Sequence, residues 1–313
     1  MLSPDSLQAF LSILFEGAPF LLLGTVLAGF IDVFLPAGGV VRVLPKNRFL
    51  ATLAARFLGL VLPVSVCTMV PVVRRLLKKG LPGSCAVTFL LAAPIVNPVA
   101  ILSTWTAFFS PLKGDATHLV MTIGRVSLGF AIAVLIGMIV MRKKSGDVFE
   151  QSLAAGMETS GSGEGSAPAA PGFETRLVLA MRSAMRDFLE TAMYFTIGIA
   201  IVSLFNTQVD PAKVKALTGD SAPVGTAALM GLSYVLALCS SSDAFVVAPL
   251  KGFPLAAKLA FLVFGPMLDI KLTMMYVTLF RRKFLIFLAL VLFLIVWLVS
   301  GPWVGALQKI LVH

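Results

Sequence analysis

Cys67 and Cys239 stand in passages that resemble each other, "LPVSVCTMVP" and "ALCSSSDAF", and lie 172 residues apart. A thiolate is a soft ligand suited to soft metals and metalloids. Cysteine is also a small apolar filler that is commonly buried, so packing is the alternative role for each thiol. Ser240, Ser241 and Asp243 follow Cys239. After a turn they would offer hydroxyls and free N–H groups to a polar ligand, or Asp243 would simply cap the helix that follows. Asn97 in "APIVNP" and Asp269 in "GPMLDIK" sit beside prolines within apolar stretches. Proline removes a helical donor, and Asn97 or Asp269 can satisfy the freed backbone while facing a cavity. Asp269 and Lys271 are ionisable groups inside a span, which is costly unless they pair or line a polar path. Their i,i+2 spacing puts them on different helix faces, so each is expected to have another partner. Glu16 and Glu190 join Asp243, Asp269 and Lys271 as candidates for proton coupling, with a helix–helix hydrogen bond as the plainer role for the two glutamates. Arg125, alone in an apolar stretch, is either a counter-ion or reaches outward to the interface. Cys85 has small neighbours and reads as packing.

Positioning these groups falls to membrane helices. The chain of 313 residues is 58% hydrophobic and 13% charged, against roughly a quarter charged in an ordinary soluble domain. Apolar stretches long enough to cross a bilayer, about 20 residues each, recur at 7–34, 83–109, 116–141, 188–206, 254–276 and 284–308. The fold class expected is all-α: a polytopic transmembrane helical bundle in which broken or re-entrant helices are held in two repeats. A net charge of +10 does not indicate nucleic acid, because the basic residues flank the apolar stretches as the positive-inside rule describes. The "RRLLKK" run at 74–79 reads as such an orientation signal. No GxxxxGK[ST], HExxH or CxxC pattern occurs, and with only His118 and His313 no Ser-His-Asp constellation is available. Neither an enzyme nor a resident cofactor or metal is expected. The partners expected are the lipid bilayer and a small-molecule substrate, with a homo-oligomer left open.

Sliding the chain by 172 residues aligns its halves without a gap. Gly59 falls on Gly231, Cys67 on Cys239, Lys79-Gly80 on Lys251-Gly252, Pro82 on Pro254, Pro94 on Pro266 and Asn97 on Asp269. A shift of 174 places Glu16 on Glu190 and Gly24 on Gly198. The organisation expected is a first transmembrane repeat over 1–142, a flexible cytoplasmic linker rich in Gly, Ser, Ala and Pro over 143–173, and a second repeat over 174–313. If residues 50–79 form a hairpin turning near Pro63–Cys67, each half crosses three times and the repeats are inverted. The basic clusters at 42–48, 74–79, 142–144 and 281–283 then share the cytoplasmic side, with the N-terminus outside. A full crossing would instead give parallel four-helix halves and split those clusters between the two sides. The positive-inside rule favours inversion. Breaks are expected at Pro63, Pro94, Pro98 and Pro266, and short Pro-interrupted segments at matched positions of two halves, as at Pro94 and Pro266, are the usual sequence pointer to a transporter's central site.

The passages "VCTMVPVVRRLLKKGLPGSCAVTFLLAAPIVNPVAILST" and "LCSSSDAFVVAPLKGFPLAAKLAFLVFGPMLDIKL" resemble the two signature regions of the bacterial YraQ/DUF318 predicted-permease family, which includes the ArsP organoarsenical permeases. The resemblance covers nearly both halves outside the linker. It implies a multi-pass permease of the bacterial inner membrane. ArsP members export trivalent organoarsenicals through thiol ligands, a role that would fall on Cys67 and Cys239. The single thiol of "SVCTM" departs from members with a richer cysteine cluster there. A permease or channel for another small solute, such as a sulfur compound, and a non-transporting membrane scaffold are the other readings.

Overall fold

Apolar sequence leaves the backbone no partner in lipid but itself, so the spanning segments must be helical. The computed structural model describes residues 4–34, 66–109, 116–143, 145–150, 173–206, 221–250 and 252–311. Among them run α1 (Pro4–Phe34), α2 (Val66–Lys78), α3 (Gly83–Val96), α4 (Pro98–Phe108), α5 (Thr117–Met141), α6 (Ser145–Val148), α7 (Phe173–Asn206), α8 (Ala222–Leu236), α9 (Asp243–Val247), α10 (Leu255–Met267), α11 (Ile270–Tyr276) and α12 (Arg282–Leu311). No strand is present among the described residues, only an isolated bridge between Phe149 and Phe280. Four stretches, Leu7–Phe34, Gly83–Phe108, Thr117–Met141 and Arg282–Leu311, are long and apolar enough to cross a membrane. The protein is an all-α polytopic membrane protein.

Two expected spans take a different form. The stretch 188–206 is the second part of α7, whose 34 residues extend about 50 Å and whose first part carries Arg182, Arg186 and Asp187. The stretch 254–276 is divided at Leu268–Asp269 into α10 and α11. The first residues of the expected linker are also pinned. Phe149 is buried beneath Phe280, with ring centroids 5.6 Å apart, while Glu150 N donates to Leu279 O and Arg281 N to Val148 O. An aromatic side chain in that segment has enough apolar surface to dock. Residues 151–172 and Pro63 lie outside the described residues.

Contacts fix the directions of the helices. Gly83, at the start of α3, lies against the Phe149 ring, Gly129 lies against Ile95, and Trp105 and Phe109 at the other end meet His118 edge-on at 4.5 and 5.3 Å. Hence α3–α4 runs antiparallel to α5. The segment α10–α11 runs the other way: Leu259 near its start lies against Gly124 together with Leu307, and its end leads to Phe280 beside Phe149. Helices α1 and α7 are also antiparallel, with Gly17 against Phe195 and Gly29 against Ala180 and Ala184. The core lies where α3, α5, α10 and α12 pack together.

Candidate functional site

Three helix interruptions meet near the middle of the bundle. Between α3 and α4 the chain leaves helical geometry at Asn97, whose Oδ1 accepts from Val99 N at 2.9 Å. Pro94 lies in the last turn of the preceding helix and Pro98 opens the next, so the freed groups are met by a cap rather than by lipid. Between α10 and α11, 172 residues on, Asp269 accepts from Leu272 N at 2.6 Å. Pro266 lies in the last turn before it. The third interruption ends α8 at Ala237, a left-handed residue with φ +47°. There the chain turns back: Gly225 near the start of α8 faces the Phe253 ring, and Ala248 O, after the turn, accepts from Lys258 Nζ at 2.7 Å. Residues 222–250 therefore enter and leave at the end of the bundle where α10 begins.

Charged side chains bind these interruptions together. Arg125, wholly buried on α5, makes a two-pronged pair with Asp243 on α9, Nη1–Oδ1 3.0 Å and Nη2–Oδ2 2.7 Å. Its Nη1 also donates to Thr104 Oγ1 of α4 at 2.7 Å and its Nη2 to Ser240 O at 3.1 Å. The Thr104 hydroxyl in turn donates to Ala100 O at 2.8 Å. A guanidinium in an apolar bundle is tolerated when carboxylate and further hydrogen bonds offset its desolvation, and this one has both. Lys271 Nζ donates to Ala237 O at 3.0 Å and stands 4.0 Å from Asp269 Oδ2. The left-handed turn is thereby tied to the start of α11. Tyr234 and Thr273 hydroxyls meet at 3.2 Å beside it.

Other sequence candidates divide clearly. Cys239 is a free, half-buried thiol in the turn, Ser240 is buried and Ser241 half-buried. Cys67 is the second residue of α2, and its side chain lies outside the described residues. Cys85 is buried in the first turn of α3, away from the interruptions, as packing predicts. Asp243 is not a cap: Ser242 holds the cap position of α9, and the Asp243 carboxylate faces Arg125. Asp269 is itself a cap, and the separate partner expected for Lys271 is Ala237 O. Glu16 is on the exposed side of α1, whereas Glu190 pairs with Arg74 at 2.6 Å; the two are in unlike settings and neither reaches the interruptions. Arg125 was legible as a counter-ion, and a lone arginine in an apolar helix is the signal. The "RRLLKK" run is not only an interfacial signal, because Arg75 within it is buried against carboxylates of α1 and α7. Among the described residues no group of three or more His, Cys, Asp or Glu is placed to hold a metal ion.

The arrangement brings paired charge and irregular backbone from several helices together inside an apolar bundle, as membrane permeases do around a polar path. Comparison with known proteins agrees with that class. The chain matches the ArsP_1 family, described as "Predicted permease", over residues 5–301. The UPF0718 protein YcgR of Bacillus subtilis (strain 168) is 33% identical over 293 residues, covering 93% of this chain and 94% of that one. A Streptococcus mutans serotype c protein named as a subunit of a two-component membrane permease complex is 31% identical over 281 residues, covering 90% and 88%. No solved structure matches the chain. This chain belongs to the ArsP_1 family of predicted permeases.

Proposed function

We propose that the protein is a secondary transporter of the bacterial inner membrane that moves a small solute by alternating access between two inverted repeats, 1–142 and 174–313. The observation that carries this reading is the buried Arg125–Asp243 bridge, which joins α4, α5 and α9 beside three helix interruptions. Irregular backbone and paired charge at such depth are expected where a polar path runs. The opposite directions of α3–α4 and α10–α11 support inversion. Asn97, Cys239, Ser240, Ser241, Asp243 and Asp269 form the site in this reading, with Cys67 approaching from the other hairpin, and Asp243 or Asp269 takes the coupling proton.

The first solute to test is a trivalent methylated arsenical, exported with Cys67 and Cys239 as soft ligands. The protein is expressed in an arsenical-sensitive host and growth is scored with Cys67→Ser and Cys239→Ser variants. Resistance that falls several-fold in either variant supports thiol ligation. Full resistance in both variants removes thiol ligation, and no resistance from the intact protein removes the arsenical. One observation favours a second reading, in which another small solute such as a sulfur compound is carried: the first break, "SVCTM", holds a single thiol. The relative named as one subunit of a two-component permease complex makes a second component worth supplying before a negative result is accepted.

A further inference from the structure

Away from the central interruptions, a second group of buried charges joins three helices. Arg75 of α2 makes a two-pronged pair with Asp187 of α7, Nε–Oδ2 2.6 Å and Nη2–Oδ1 2.7 Å. Its Nη1 reaches Asp32 Oδ2 of α1 at 2.9 Å, and Ser183 of α7 donates to that same oxygen at 2.8 Å. Arg74 pairs with Glu190 at 2.6 Å, and Lys79 donates to Asp32 O. Arg75 and Asp187 are both buried.

The depth of this group follows from the helices that carry it. Gly198 of α7 lies against Lys271 and marks the level of the Asp269–Lys271 interruption. Glu190 and Asp187 are eight and eleven residues from Gly198, so the charges sit about 12–16 Å from that level. They lie towards the end where α2 passes into α3. Helix α11, which starts at the Asp269–Lys271 interruption, packs on both α7 and α2. The ion pairs thus close the gap between the two helices that flank it. The second half does not repeat these charges at the matching positions: the residues 172 on from Arg74 and Arg75 are Val246 and Val247.

We infer that the Arg74–Arg75 group of α2, clasped by Asp32, Asp187 and Glu190, is an ion-pair gate that shuts the central site on one face only. It rests on the permease reading, because a gate needs a path to close. Separating α2 from α7 exposes Arg75 and Asp187 to water, which rehydrates both charges and offsets the lost pairing. Apolar contacts have no such compensation. A buried pair of this kind is a two-state closure: removing one partner leaves the other charge uncompensated and favours the open, wet arrangement.

The test reads access to Cys239 in the full-length protein carrying Cys67→Ser and Cys85→Ala. A membrane-impermeant maleimide is added to either face of sealed vesicles, and the labelling rate is measured. With Asp187→Asn, labelling from the Arg74–Lys79 face is expected to rise about tenfold, equivalent to ~1.4 kcal/mol of opening free energy. From the other face it is expected not to rise. The charge-exchanged pair, Arg75→Asp with Asp187→Arg, is expected to return the rate towards that of the parent. Where Asp187→Asn does not accumulate in the membrane, Asp32→Asn removes one arm of the clasp and is expected to give a smaller rise on the same face. An unchanged rate in the variant that accumulates, or an equal rise from both faces, overturns the gate. Labelling that changes as expected while the protein with all three cysteines intact moves no solute removes the permease reading and leaves the opening of α2 from α7 standing.

Discussion

Arg125 and Asp243 are separated by 118 positions in sequence, yet together they hold α4, α5 and α9. Truncating one member leaves the other buried and unpaired, at a cost of ~3–5 kcal/mol. Arg125→Ala is therefore expected to lower the denaturation midpoint of the detergent-solubilised protein sharply. Arg125→Lys keeps the charge but not the fork that meets both Asp243 oxygens, so an intermediate midpoint is expected; equal midpoints for both variants would show that the charge contributes nothing without the fork. At this scale the sequence was partly readable. Asn97 and Asp269 announced themselves by standing next to prolines, because a local interruption needs a local cap. Arg75 did not, since nothing in "RRLLKK" distinguishes the one residue that turns inward from neighbours at the rim. Its partners, Asp32 and Asp187, come from distant parts of the chain.

Helices here approach most closely at glycine. A Cβ on Gly24 would come within 2.6 Å of the Thr68 Cα, a backbone atom that cannot step aside. Gly24→Ala must then push α1 away from α2, with an expected loss of ~1–3 kcal/mol, whereas Gly301→Ala, facing open space, is expected to leave the protein unchanged or slightly more stable. Thermal denaturation of both variants in one detergent checks the contrast. The same close approach explains why element boundaries were only partly legible. Hydropathy found α1, α3–α4, α5 and α12, but it began the α7 span at 188 because the preceding turns are charged. Those turns are helical nonetheless: Asp187 and Glu190 meet Arg75 and Arg74 of α2, and Ala180 and Ala184 pack on Gly29. Tertiary pairing extends the helix beyond what an apolar count can see.

Across the whole molecule, like elements of the two halves meet one another: α1 with α7, α3 with α10 and α5 with α12. Each such pair runs antiparallel, as an axis lying in the membrane plane would produce. The arrangement has a consequence for sidedness. The turn from α2 to α3, the end of α5, residues 145–150 and the start of α12 all gather at one end, joined by the Phe149–Phe280 contact. The start of α5, the start of α10 and the end of α12 gather at the other, joined by Gly124, Leu259 and Leu307. That first end also holds Arg74, Lys79, Lys143 and Arg281, the distribution that faces the cytoplasm under the positive-inside rule. Reporter fusions distinguish the two repeat arrangements directly. With inverted repeats of three crossings, a reporter active only outside the cytoplasm should be active when fused at either terminus and silent when inserted within 151–172. Parallel halves of four crossings place all three positions on the same side, so matching activity at the linker and both termini would exclude inversion and, with it, the shared central site.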